Sequence, residues 1–292
     1  MKTTQSQAFS PYTQLGRRLL EEGEWIYNER TGKSCLTIIN ADLVYDVGNN
    51  VFPIDTTRKS YWKAAVAEML GYLKSYNNAY QFADLGAPTW LANANDNKVW
   101  LNNPHRKGEG DMGAAYMFNS DITGFDGEDP WSENQIRNIY RQLKSSSDDR
   151  GLIMTAWLPV TFHMACLRPC MHTHHFSLVN GTLHLTSYQR SCDVPLGLNF
   201  NMIQCFFLLK LMAQITGHEP GNVYHKITNA HVYEDQYELF CMHMERDPLP
   251  APEFFISEHI ETLSEVIELM EPEDCWVEGY EHLEAIKYPF SE

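Results

Sequence analysis

Apolar positions change their period along the chain, and the changes predict the elements. Over roughly Lys59 to Tyr76, Val66, Met69, Leu70 and Leu73 recur at helical spacing with lysines off that face, which predicts an amphipathic helix. A second amphipathic helix is expected to start near Ser132. Ser132 and Gln135 have capping-box spacing and precede Ile136, Ile139 and Leu143. From Phe176 to Tyr188 the period falls to two, and Asn180-Gly181 between the alternating runs supplies the positive φ angles of a tight hairpin. Phe200 to Thr216 is apolar almost all round yet interrupted by Gln204, Lys210 and Gln214, and reads as a buried core helix. Asn93 to Gly110 is polar, Asn-rich and aperiodic, and is expected to be a surface insertion. Strands, a central buried helix and flanking helices imply an α+β fold with a mixed sheet, and nothing in the composition marks a boundary within 1–292.

Charge narrows the function. Lys and Arg number 22 against 38 Asp and Glu, a formal −16, which argues against nonspecific nucleic-acid binding. No unbroken apolar stretch reaches membrane-spanning length and the first residues are polar, so a cytoplasmic protein without a membrane is expected. Seven cysteines at Cys35, Cys166, Cys170, Cys192, Cys205, Cys241 and Cys275 show no CxxC spacing and read as free thiols.

Two short segments carry chemistry. Cys170 lies in LRPCMHTHHF just before a predicted strand, and a lone cysteine there is by itself a small buried apolar residue. Immediately after the hairpin, Tyr188-Gln189-Arg190-Ser191-Cys192-Asp193 gathers a cation, a hydroxyl and a carboxylate, a set that suits an anion and a polar ring or a solvated turn equally. His172, His174 and His175 could suggest a metal. On a regular strand, however, the first two share one face and the third the other, with no acidic ligand at a recognisable spacing.

Taken in order, these pieces resemble the thymidylate synthase and pyrimidine deoxynucleotide hydroxymethylase family. The matching string is Pro169-Cys170, Tyr188 to Asp193, Leu196-Gly197, Phe200-Asn201, Pro220-Gly221 and His231-Val232-Tyr233. Asn28 to Gly32, Phe52-Pro53, Thr56-Thr57, Glu68, Trp90, Gly113, Tyr116, Ala156-Trp157 and Glu278 to Tyr280 extend it almost end to end.

The resemblance implies that Cys170 adds to C6 of a uracil nucleotide, dUMP, so that C5 can take a one-carbon unit from 5,10-methylenetetrahydrofolate, with no metal. Tyr116 with ordered water would move the C5 proton, Glu68 would assist at the pyrimidine carbonyl, and Asp193 and Asn201 would complete the catalytic set. An amide at Asn201 can donate to O4 and accept from N3–H, which suits uracil rather than cytosine. Arg30, Gln189, Arg190 and Ser191 would hold the nucleotide, and His231 and Tyr233 its sugar. Arg150 would reach the phosphate site of a neighbouring subunit in a homodimer. Arg58, Trp90, Asp193, Gly197, Phe200 and Glu292 would contact the folate.

Departures from the family pattern bear on the last step. Met171 stands where synthases carry His, Leu91-Ala92-Asn93 replace acidic residues and a second tryptophan, Arg150-Gly151 replaces an arginine pair, and the chain ends in Glu292 rather than a small apolar residue. A wetter site would favour water over hydride, so the expectation is a phage-type deoxyuridylate hydroxymethylase, acting in the host cytoplasm, that makes 5-hydroxymethyl-dUMP. The alternative is a thymidylate synthase making dTMP and dihydrofolate. A dCMP or CMP hydroxymethylase and an inactive homologue rank below both.

Overall fold

The computed structural model describes residues 10–29, 31–126 and 129–290; Arg30 and Glu292 therefore lie outside the described residues. The strands are β1 (Glu24–Asn28), β2 (Lys33–Asp46), β3 (Asp121–Asp126), β4 (Asp129–Asn134), β5 (Ile153–Thr155), β6 (Met171–Val179), β7 (Thr182–Gln189), β8 (Cys192–Asp193), β9 (Glu219–Tyr233), β10 (Glu253–Ile256) and β11 (Cys275–Glu278). The main sheet runs β1-β2-β9-β7-β6-β5, with β8 added beside β9. It is mixed, because β9 pairs parallel with β7 and β8 and antiparallel with β2. Asn180 and Gly181 take φ of 51° and 82° at the β6–β7 turn, the conformations for which that pair was read as a hairpin.

The helices are α1 (Pro11–Glu22), α2 (Trp62–Leu73), α3 (Ala79–Asp84), α4 (Leu91–Asn95), α5 (Lys98–Leu101), α6 (Gln135–Lys144), α7 (Asn199–Thr216), α8 (Tyr237–Met244) and α9 (Leu263–Glu268). Helix α7 packs on β7 and β9 of the sheet, and α2 packs on α7. Each polar interruption of α7 has a partner, as burial demands. Gln204 donates to Glu68, Lys210 to Asn50 Oδ1 at 2.6 Å, and Gln214 to the carbonyls of Ser257 and Ile260 at 2.9 Å. Burial lowers the Lys210 ammonium to about 8. Among the described residues, Val194–Thr216 is the one helical stretch long and apolar enough to cross a membrane, and 72% of that window is buried inside the protein.

Two sequence expectations need correction. Helix α2 is buried from Ala65 to Leu73 on every side, so it is a second core helix rather than an amphipathic one. It also starts later than expected, because Ser60 spends its hydroxyl on Asp55 O and its N–H on the Tyr280 hydroxyl. Helix α6 begins at Gln135 with Asn134 as its cap, accepting from Arg137 N at 3.1 Å, because β4 runs through Asn134. The segment from Asn93 to Gly110 lies mostly at the surface and is anchored there. Trp100 is buried and donates to Asp111 O at 2.6 Å, while Asn95 accepts from Gly110 N at 2.8 Å and Asn103 donates to His163 O at 2.9 Å. The asparagines there satisfy backbone groups that lack a regular ladder.

Candidate active site

Cys170 sits at the entrance to β6, partly exposed, and all seven cysteines are free thiols. Its N–H donates to the Tyr116 hydroxyl at 2.7 Å, and Arg190 Nη2 lies 3.5 Å from its sulfur. Positive charge beside sulfur favours the thiolate, the nucleophilic form. Arg190 is itself fixed by donating to the carbonyls of Pro169 and Arg168 at 3.0 Å. Tyr116 stacks on Tyr72 at 4.5 Å with a positive φ of 50°. Burial holds its phenol well above the ordinary value, so it acts as a neutral hydroxyl and not as a phenolate base. The turn that delivers it passes Gly113, whose φ of 62° and a Met164 carbonyl 1.9 Å from any added Cβ exclude a side chain.

Beside Tyr116 opens a cleft of about 170 Å³ lined in part by Glu68, Trp90, Met171, Asn201 and Gln204. A larger surface hollow of about 420 Å³ at Lys144, Gln214 and Glu261 gathers no nucleophile, so chemistry and not size selects the smaller one. Glu68 is buried, and both its oxygens accept: Oε1 from Thr89 Oγ1 at 2.5 Å, Oε2 from Gln204 Nε2 at 2.6 Å. Burial raises its carboxyl from the usual range, and these donors oppose the rise. The amides continue the chain. Asn201 Nδ2 donates to Gln204 Oε1 at 3.1 Å, Gln189 Nε2 donates to Asn201 Oδ1 at 2.9 Å, and Gln189 Oε1 faces His225 Nε2 at 2.8 Å. His225 is lowered to about 3 by burial and so is neutral, with Nδ1 2.8 Å from the Tyr45 hydroxyl. Gln204 and His225 were not singled out from sequence as site residues. The available signal was the i, i+3 spacing of Asn201 and Gln204 inside an otherwise apolar helix.

Asp193 caps the wide helical turn Val194–Leu198 that leads into α7, accepting from Leu196 N at 3.1 Å and from Gln236 Nε2 at 3.0 Å. Burial pushes its carboxyl up to about 6. Parallel pairing of β8 with β9 sets Asp193 opposite His231, whose Nδ1 is 2.8 Å from Asn229 Oδ1, and the Tyr233 ring lies 5.1 Å from that of His231. Gly197 and Phe200 follow on the same turn and helix. Ser191 contributes its carbonyl to Gln189 Nε2 at 2.9 Å. The Arg58 guanidinium is buried, bound to Asp55 and to Pro195 O and near the Tyr288 ring, so it braces the turn that Asp193 caps. Trp90 is buried against Tyr72 and Tyr116 with only an edge on the cleft.

Arg150 is exposed, away from Cys170, with φ of 64° and its carbonyl 3.1 Å from His175 Nε2. The three histidines do not share faces as a regular strand would place them. Register passes from Met171–Gln189 to Thr173–Tyr188, so His172 is the extra residue of a β-bulge and Met171 joins His174 on the buried side. Among the described residues no group of three metal-ligating side chains forms.

A carboxyl near 6 in the folded chain, against an ordinary 3.8, stabilises below pH 4 and loses that contribution as pH rises through 6, by up to ~3 kcal/mol. Asp193→Asn should therefore gain on the wild type by ~1–3 kcal/mol between pH 4 and pH 7 in urea unfolding. Stability curves that stay parallel across that range would contradict the burial argument.

Residues 10–292 match the family model described as Thymidylate synthase. The chain is 56% identical over 281 residues to the Thymidylate synthase of Shewanella piezotolerans, 54% over 283 to that of Idiomarina loihiensis, and 55% over 287 to that of Vibrio vulnificus. Each alignment covers 96% of this chain and 99% of the relative. With the whole described fold inside that match, the chain belongs to the thymidylate synthase family.

Proposed function

We propose that this protein methylates C5 of dUMP, with 5,10-methylenetetrahydrofolate as carbon and hydride donor, giving dTMP and dihydrofolate. The observation that carries this reading is Cys170, held between Tyr116 and Arg190 beside a cleft lined by Asn201 and Glu68. The thiolate of Cys170 adds to C6, and the resulting enolate is nucleophilic at C5. Asn201 keeps one N–H and one lone pair for O4 and N3–H, while Arg190 and Ser191 stand ready for phosphate once the nucleotide enters. C5 bonds the methylene carbon of the donor; as neutral Tyr116 relays the C5 proton to water, the bond from that carbon to the folate nitrogen breaks, and hydride from the released tetrahydrofolate reduces the exocyclic methylene while Cys170 leaves C6, giving dTMP and dihydrofolate.

The expectation of hydroxymethylation is corrected. The relatives, at about 55% identity, are named as synthases, and the comparisons lend a phage source no support. Two of the departures that suggested a wet site have the opposite physical character. Met171 is buried with its sulfur 3.3 Å from Cys205, and Leu91 opens a packed helix against the core. Asn93 of the same stretch lines the cleft, and Glu292 lies outside the described residues.

Incubating the protein with dUMP and 5,10-methylenetetrahydrofolate should give equimolar dTMP and dihydrofolate, read by absorbance and mass spectrometry. 5-Hydroxymethyl-dUMP with tetrahydrofolate would overturn the reading.

A homodimer completes the proposal. The sheet face away from α7 is open, and Val44, Tyr188, Tyr224 and Ile153 are exposed on it or at its edge. Arg150 projects at that same edge beside His175, as a residue given to a neighbour's phosphate would. Sedimentation at twice the chain mass is expected, with Arg150→Ala raising KM for dUMP at least about tenfold; a monomer with full activity would refute both.

A further inference from the structure

The hydrogen bonds through the cleft all point one way. Gln189 Nε2 donates to Asn201 Oδ1, Asn201 Nδ2 to Gln204 Oε1, and Gln204 Nε2 to Glu68 Oε2, over 2.9, 3.1 and 2.6 Å. Both anchors of the chain can only accept: the Glu68 carboxylate, and the Ser191 carbonyl, which takes the other Gln189 N–H at 2.9 Å. Neither glutamine can turn over without setting an oxygen against an oxygen in a buried site, and each unmade bond there is expensive. Asn201, held from both sides, is left with one lone pair on Oδ1 and one hydrogen on Nδ2. A pyrimidine offering N–H and C=O side by side completes that pair, whereas one offering an unprotonated ring nitrogen and an amino group opposes it.

We propose that Gln204 is a positioning residue for base choice: it transmits the acceptor-only character of Glu68 to Asn201 and so makes the site select uracil over cytosine nucleotides. This rests on the reading of Asn201 as the base-contacting amide. In this role Gln204 acts on base choice through its hydrogen bond to Asn201. With Gln204 removed, Asn201 keeps one restraint, from Gln189, so turning its amide toward cytosine sets it against one partner instead of two.

The test is titration of the full-length protein with dUMP and with dCMP, comparing the ratio of the two Kd values. Wild type should favour dUMP. Gln204→Met, of similar volume and without donor or acceptor, should shrink that ratio at least about tenfold while melting within a few degrees of wild type. Gln204→Leu serves if the Met variant does not fold. In an Asn201→Ala background the Gln204 substitution should leave the ratio unmoved, because its effect runs through Asn201. An unchanged ratio in Gln204→Met, or the same shift in both backgrounds, overturns the proposal. Wild type showing no preference for dUMP removes the functional reading itself, and that result appears before any variant is made.

Discussion

The buried charge of Glu68 is the constraint on which the rest of the site depends. A carboxylate inside an apolar helix face is costly unless both oxygens are bonded. Thr89 and Gln204 supply those bonds, from the segment before α4 and from α7. Satisfying the charge therefore ties α2 to α7 and fixes which end of the Gln204 amide faces Asn201, where it meets Gln189 of β7, itself fixed by the Ser191 carbonyl. One electrostatic requirement joins the core helices and orders the amides that line the cleft.

Backbone irregularities place Cys170, the proposed nucleophile, against those amides. The bulge at His172 moves Met171 to the buried side, where it packs on Cys205 beneath the cleft, and leaves Cys170 at the strand entrance facing Arg190. On the facing segment, positive φ at Gly113 and Tyr116 turns the phenol onto the Cys170 amide. Asp193 joins in through the chain itself, since the turn it caps opens directly into α7, which carries Asn201.

Much of this was legible in the sequence. Asn180-Gly181 specifies its hairpin locally, and α7, apolar almost all round, reads as core. The ordered string from Cys170 to Tyr233 places the residues that the structure brings to one region. What was not legible depends on three dimensions. The burial of α2 on all sides comes from partners distant in sequence, the bulge at His172 leaves no compositional mark, and Trp100 anchors a segment whose asparagines read as surface. Met171 misled for a related reason: its significance lay in what it packs on, and a substitution read by polarity alone cannot show that. Gln204 looked like a flaw in an apolar helix and is instead a junction of the network.

The most direct check on the primacy of Glu68 is Glu68→Gln, an isosteric change that removes the acceptor-only anchor and leaves the shape intact. Measured by calorimetry, the preference for dUMP over dCMP should fall at least about tenfold in that variant, with thermal stability no lower than that of wild type by more than a few degrees. A preference equal to that of wild type would contradict the account, because it would show that Asn201 is oriented without reference to the charge at Glu68.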